Sequence, residues 1–182
     1  MREITSTARH PEYLQPALDL VEQVFTEHES PEEGKLVRNL VAEIRSKAYY
    51  LPELELLMIQ DGEVVGYIMF SRFHIGGKFS DRLLILTPAA VRTDLQRQGI
   101  SRELIEYGFV KAREMGYTAV MVEGNPANYR ARGFETSALH GIVAGPSVGL
   151  PHPDCLMVKA LVPGGLDGIT GEIDYAMYDT LR

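Results

Sequence analysis

Apolar residues recur at helical spacing in the first part of the chain and then switch to strand spacing. Leu14, Ala17, Leu18, Val21, Val24 and Phe25 make one apolar stripe, which predicts a helix from Pro11 to Phe25 with the proline in its first turn. The stretch "HESPEEGK" breaks the pattern. A second helix is predicted from Gly34 to about Ala48, with Leu36, Leu40, Val41 and Ile44 inward. Ser30, Pro31, Glu32 and Glu33 look like its start: a cap, a proline and acids near the positive end of the helix dipole. A short strand is expected at Ile4–Thr7.

The middle of the chain reads as a meander. "ELELLMIQ" and "EVVGYIMFSRF" flank Asp61-Gly62, a pair suited to the positive φ angles of a type I′ hairpin turn. "GGKFSD" is a loop, and "RLLILTPAAV" is a third, largely buried strand. Helical spacing returns in "LQRQGISRELIEYGFVKAREM", which Gly116 closes as a C-cap. "TAVMV" is the next strand, so Arg82 to Val122 forms a β-α-β unit with parallel outer strands. "DCLMVKAL" predicts a late strand, and the "PGGLDGITGEIDY" tail is expected to be irregular. No repeat or long linker divides the 182 residues, so a single domain over 1–182 is expected.

Composition narrows the function. Apolar residues make up 45% and charged residues 24%, as in soluble globular proteins. A net charge of −7 disfavours binding to a nucleic acid backbone. The single cysteine, Cys155, excludes an intrachain disulfide framework and fits a reducing cytosol. The start is too polar for a signal peptide, and no apolar run approaches the ~18 residues of a membrane span. A cytoplasmic protein is expected.

The mouth of the third helix is the most informative stretch. The first four amides of a helix have no internal partner, and with the macrodipole they form an anion site. Gly99 stands where a side chain would block a ligand's approach to the backbone, and glycine permits the tight turn that aligns several N–H groups. The segment Gln96–Arg102 can therefore wrap a pyrophosphate, with Arg97 and Arg102 adding charge. Leu104, Ile105, Gly108, Phe109, Ala112 and Met115 share one face behind it. Gly108 in mid-helix costs about 1 kcal/mol against alanine, which implies close packing there. Two other phosphate motifs are excluded. No Gly-x-Gly-x-x-Gly follows a strand, and no Gly-Lys-Ser/Thr follows Gly99.

"LTPAAVRTDLQRQGISREL" resembles motif A of the GNAT N-acetyltransferase superfamily, a strand followed by Gln/Arg-x-x-Gly-x-Gly/Ala and a helix. Here the motif falls on Gln96, Gly99 and Ser101, with a small serine in the last position. "NPANYRARGFE" resembles the family's later asparagine-to-tyrosine stretch, with Tyr129 four residues before Gly133-Phe134. That stretch and the glycine-rich tail are similar to the branch called YhbS-like N-acetyltransferases. The order of elements also matches, so the resemblance covers most of the chain.

The resemblance implies an α/β GNAT fold: a mixed central sheet of about six or seven strands flanked by helices, with a V-shaped opening between the outer strands of the β-α-β unit. It implies acetyl-coenzyme A as cosubstrate, with no metal. The pantetheine arm would lie on Ala89, Ala90 and Val91, and the pyrophosphate on the amides of Arg97, Gln98, Gly99, Ile100, Ser101 and Arg102. Asn125 and Tyr129 would lie near the sulfur. The implied reaction is direct attack of a primary amine on the thioester. The amine would belong to a small molecule, with no nucleic acid or membrane partner. The C-terminal strand region is a common dimer surface in such folds, so a homodimer is allowed.

The reaction needs a neutral amine, a stabilised oxyanion and a proton for the thiolate. A backbone N–H at a bulge near Ala90 or Val91 is the expected oxyanion donor. Tyr129 is the candidate acid, because a phenol near pKa ~10 roughly matches an alkyl thiol. Many members carry a glutamate on the strand before motif A, but "LLILTPAAV" has no carboxylate or histidine. Base candidates elsewhere are Glu27, His28, His74, Asp81 and Glu123, with a water chain as the alternative. Phe25, Glu27 and His28, around the end of the first helix, are expected in the acceptor pocket. Glu172, Asp174 and Tyr175 are read as a cap on the sheet, with lining of the acceptor site as the alternative.

His152, Asp154 and Cys155 are the only tight group of metal-ligand types, with Pro153 inside it and no second pair at zinc-like spacing. No Gly-x-Ser-x-Gly supports a hydrolase. Competing functions are a non-catalytic acyl-coenzyme A sensor or partner-binding module, and a protein or peptide N-acetyltransferase.

Overall fold

Asp61 and Gly62 both take positive φ, 52° and 79°, and pair the strands on either side as a hairpin. In the computed structural model, which describes residues 1–182, the elements are β1 (Arg2–Ser6), α1 (Leu14–His28), α2 (Pro31–Arg45), β2 (Glu55–Gln60), β3 (Glu63–Arg72), β4 (Leu83–Val91), α3 (Ile100–Glu114), β5 (Ala119–Glu123), α4 (Pro126–Tyr129), β6 (Glu135–Thr136), β7 (Ile142–Ala144), β8 (Leu156–Ala160) and β9 (Gly171–Ile173). A seven-stranded sheet runs β1-β2-β3-β4-β5-β8-β6. Every neighbouring pair in it is antiparallel except β4 and β5.

The sheet is covered on both sides. Helices α1 and α2 pack on one face over Leu57, Tyr67, Ile85 and Met121, while α3 packs on the other over Met58, Ile68, Leu84 and Val120. Burial on two faces explains why β3 reads as an unbroken apolar run rather than an alternation. The glycine in mid-α3 has its reason here. A Cβ on Gly108 would stand 2.2 Å from Phe70 Cε1, so the helix lies directly on that ring. No helix is long and apolar enough to cross a membrane.

Three sequence expectations need correction. Helix α1 does not stop at Phe25 but continues to His28, so Glu27 and His28 lie in its last turn. Helix α2 begins at Pro31, with Ser30 Oγ accepting the Glu33 amide, and ends at Arg45. Val37 takes an inward position while Leu36 is half-buried. The tail is not wholly irregular, because Gly171–Ile173 pairs in parallel with Ile142–Ala144 to form a small second sheet.

The opening in the main sheet has a local cause. Strands β4 and β5 pair only over Leu83–Ile85 and Ala119–Met121. Beyond that point β4 inserts one extra residue: Phe70 faces Leu86, but Ile68, two residues back, faces Ala89. A bulge of this kind bends and twists its strand. The two strands therefore diverge, and Leu86–Val91 has no β5 partner.

One buried group was not visible in the sequence pattern. Glu55, at the start of β2, is fully buried on the α1/α2 side. Its Oε1 accepts from Thr7, Arg45 and Tyr50, and its Oε2 accepts from the Tyr67 hydroxyl at 2.6 Å. This carboxylate ties the residue after β1 together with α2, β2 and β3. The neighbouring phenols stay neutral, with Tyr50 pushed up to about 12 by burial and then by the hydrogen bond to Glu55. Glu55→Ala leaves two phenols and a half-buried guanidinium without their acceptor. It should lower unfolding free energy by about 3 kcal/mol in a urea titration. A loss under about 1 kcal/mol would mean that water replaces the carboxylate without penalty.

Candidate active site

The chain between β4 and α3 prepares a row of free amides. Arg97 and Gly99 take φ of 64° and 82°, and Gly99 is the residue just before the helix. In that left-handed conformation a side chain costs roughly 1–2 kcal/mol. The first amide of α3 with a main-chain partner is that of Glu103, which donates to Gly99 O at 3.0 Å. The amides of residues 96–102 donate to no protein acceptor, main chain or side chain. They line the mouth of the helix, where the dipole favours an anion.

Side chains hold this loop from two directions. Arg2, at the start of β1, donates to Gln98 O at 3.0 Å and to Gln98 Oε1 at 3.2 Å, and its Nε reaches Gln60 at 3.1 Å. From the other side the Gln96 amide group donates to Val91 O at 3.2 Å and meets His28 Nε2 at 2.9 Å. Thr93 donates to Glu27. The last turn of α1 is thus fastened to the loop. Arg2 had no signal in the sequence, since its partner lies 96 positions away.

A cleft of about 660 Å³ opens over the loop and the diverging strands. Of the expected residues, Phe25, His28, Ala89, Ala90, Val91, Gln96, Arg97, Gly99, Ile100, Ser101, Arg102, Asn125 and Tyr129 line it. Gln98 does not, because it is turned toward Arg2. Glu27 and Glu123 also lie outside it. Arg132 lines it too and was not anticipated, although it stands three residues after Tyr129 in "YRARG". Arg97, Arg102 and Arg132 make no salt bridge within the protein. Three uncompensated guanidiniums therefore focus positive potential in a chain of net charge −7.

Ladder alternation settles which β4 amides face the opening. The Arg92 amide donates to Val65 O at 2.9 Å, so Arg92 and Val65 are a hydrogen-bonded pair, and so are Ala90 and Tyr67 two residues back. The amides of Ala89 and Val91 consequently turn away from β3 toward the gap. This corrects the expectation for Ala90, whose amide is used by the sheet. The bulge also lies earlier than expected, at Thr87-Pro88 rather than at Ala90 or Val91.

Tyr129 sits at the end of α4, edge-on to Phe134 with centroids 5.7 Å apart, and against Gly124, where a Cβ would come within 2.6 Å of the ring. Its hydroxyl has no protein partner, and burial raises its pKa above the ordinary phenol value. Asn125 lines the cleft, but its Oδ1 accepts the Ala127 amide at 3.0 Å, so it caps α4.

The remaining base candidates disperse. Glu27 is exposed and is held by the Thr93 hydroxyl and then by Gln23, which together pull its pKa down. His74 accepts the Gly77 amide in the β3–β4 loop, and Asp81 lies in the same loop. That loop is at the far end of β4, roughly 26 Å from Val91 at strand rise. Tyr175 is no simple cap, because its hydroxyl donates to Glu123 Oε1 at 2.7 Å. His152 Nδ1 accepts the Asp154 amide at 3.1 Å, and no three His, Cys, Asp or Glu side chains converge anywhere.

Residues 15–136 match the family model of the Acetyltransferase (GNAT) family. The chain is 32% identical over 149 residues to the uncharacterized N-acetyltransferase YhbS of Escherichia coli strain K12, covering 81% of this chain and 83% of the relative. It is 33% identical over 137 residues to the uncharacterized N-acetyltransferase YjhQ of the same strain, covering 74% and 75%. The crystal structure of Escherichia coli YhbS in complex with CoA is similar at a TM-score of 0.78 and 27% identity, over 96% of this chain and 88% of that one. A GNAT acetyltransferase from Brucella melitensis, in complex with acetyl-CoA, shares the fold at a TM-score of 0.72 and 23% identity, over 100% and 99% of the two chains.

The loop geometry makes a direct prediction. Arg2→Ala frees the Gln98 carbonyl without touching the cleft, so pyrophosphate should bind about fivefold more weakly in a calorimetric titration, the equivalent of about 1 kcal/mol. Equal affinity in both proteins would mean that the loop holds its shape without Arg2.

Proposed function

The chain belongs to the GNAT acetyltransferase family, and from that premise we propose that it is an acetyl-coenzyme A-dependent N-acetyltransferase acting on the primary amine of a small molecule. The observation that carries this reading is the run of seven free amides, 96–102, beside a strand whose Ala89 and Val91 amides face an unpaired gap. A diphosphate fits the first feature, and an amide-bearing arm lying along a strand edge fits the second. Similarity to proteins whose structures contain CoA and acetyl-CoA supports the same ligand.

Acetyl-coenzyme A supplies an activated acyl carbon when bound. The roles left to the chain are to hold it, polarise it and manage two protons. Arg97, Arg102 and Arg132 stand ready to offset the phosphate charges, and the free amides to receive their oxygens. The amides of Ala89 and Val91 are the donors available for a carbonyl oxygen in the gap, where a preorganised N–H acts most strongly on developing charge.

Tyr129 faces the leaving sulfur in this reading. Its raised pKa shifts the balance away from an even exchange with a thiol, so its hydroxyl donates a hydrogen bond that stabilises the thiolate before any full proton transfer. A small acceptor is favoured by the C-terminal segment, which packs on α2 through Glu43 and reaches the end of β5 at Tyr175.

Gly99→Glu places a carboxylate in the row of amides. It should abolish calorimetrically detected acetyl-coenzyme A binding while leaving circular dichroism unchanged. Binding that survives the substitution would sink the phosphate assignment. Tyr129→Phe keeps the contact with Phe134 and should lower kcat by about 100-fold while the acetyl-coenzyme A Kd moves less than about twofold. An unchanged kcat would remove Tyr129 from the chemistry.

A further inference from the structure

The acceptor side of the sheet carries a second constellation, and its meaning rests on the assignment of the cleft to acetyl-coenzyme A. Side chains on β5 alternate: Val120 and Val122 join the α3 core, Ala119 and Met121 the α1/α2 core. Glu123 continues the second set, so its side chain emerges on the α1/α2 face. The parallel register of Ile85 with Met121 carries on to set Thr87 across from Glu123, where the strands part. Glu123 lies outside the cleft over the helix mouth, on the opposite face of the sheet at the point where the two strands part.

Glu123 is exposed and has no cationic partner in the protein. One of its oxygens accepts from Tyr175 at 2.7 Å, and the other has no protein donor. Tyr175 arrives from a segment 52 positions away and is fixed before any ligand binds. Its ring packs edge-on to Phe73 at 6.2 Å and against Tyr178 at 6.2 Å. Glu43 anchors the following turn by accepting the amides of Asp179 and Thr180 at 2.8 and 2.7 Å. Burial, followed by the charge of Glu123, pushes the Tyr175 phenol far above its ordinary value, so it remains a donor wherever amines react.

We propose that Glu123 and Tyr175 form the acceptor subsite for a cationic primary amine: Glu123 receives the ammonium group and takes its proton, and Tyr175 is the positioning residue that fixes the carboxylate. An N–H proton of the ammonium passes to the free oxygen of Glu123 and on to water, which the exposed carboxylate reaches. The freed lone pair forms the C–N bond to the acyl carbon. The C–S bond breaks with its electron pair leaving on sulfur, and the second proton lost from the new amide nitrogen passes to that thiolate, giving the free thiol and the neutral amide.

The test uses the full chain with acetyl-coenzyme A and four acceptors: putrescine, spermidine, tyramine and hydroxylamine. Hydroxylamine is already neutral at neutral pH and needs no base. Glu123→Gln should lower the ratio of cationic-amine to hydroxylamine turnover by about 100-fold. Tyr175→Phe retains the ring contacts and should lower kcat for the cationic amines by about tenfold, with little change in their KM or in hydroxylamine turnover. Equal losses for all four acceptors would point to a structural role and overturn the proposal. Wild-type protein that acetylates hydroxylamine but none of the three cationic amines would overturn it as well. Absence of acetyl-coenzyme A binding in calorimetry would instead overturn the cofactor assignment beneath it.

Discussion

The row of unpaired amides ahead of α3 is the constraint on which the rest of the structure depends. Buried N–H groups without partners are expensive, so such a row persists only where water or a ligand reaches it. Here it borders an open cleft. The turn needs positive φ at Arg97 and Gly99. It also needs the carbonyl of Gln98 directed outward, which Arg2 secures from the edge of the sheet. Helix α3 must then stay rigid behind the turn, and it does so by lying on Phe70 at Gly108.

A second division comes from the sheet. Where β4 and β5 part, the side chains on the two faces of the sheet differ in charge. The α3 side presents Arg97, Arg102 and Arg132 with no internal counter-ions. The α1/α2 side presents Glu123, held by a neutral hydroxyl. The overall charge of −7 conceals this arrangement, because charges spread over the rest of the surface dominate the sum.

Much of this was legible in the sequence, for local reasons. Asp61-Gly62 fixes its turn by φ alone, and Gly99 sits at the start of a helix whose apolar face is regular. The parallel pairing of β4 and β5 follows from the helix between them. What was not legible depends on long-range contact. Arg2 to Gln98, Thr7 to Glu55 and Tyr175 to Glu123 span 96, 48 and 52 positions, and no periodicity announces them. The position of the bulge escaped as well, since Thr87-Pro88 lies within an apolar run that reads as regular strand. Glu27 and His28 were placed after a helix that in fact contains them, because the apolar stripe ends at Phe25 and only the hydrogen bonds continue.

That extra turn of α1 has a mechanical meaning. His28 lines the cleft and meets Gln96, and Gln96 also donates to Val91 O at the edge of the gap. Gln96 opens the row of free amides, so one side chain touches the end of α1, the loop before α3 and the strand edge together. Glu27 adds a second tie from the same turn through Thr93. A displacement of that loop would therefore pull on the end of α1.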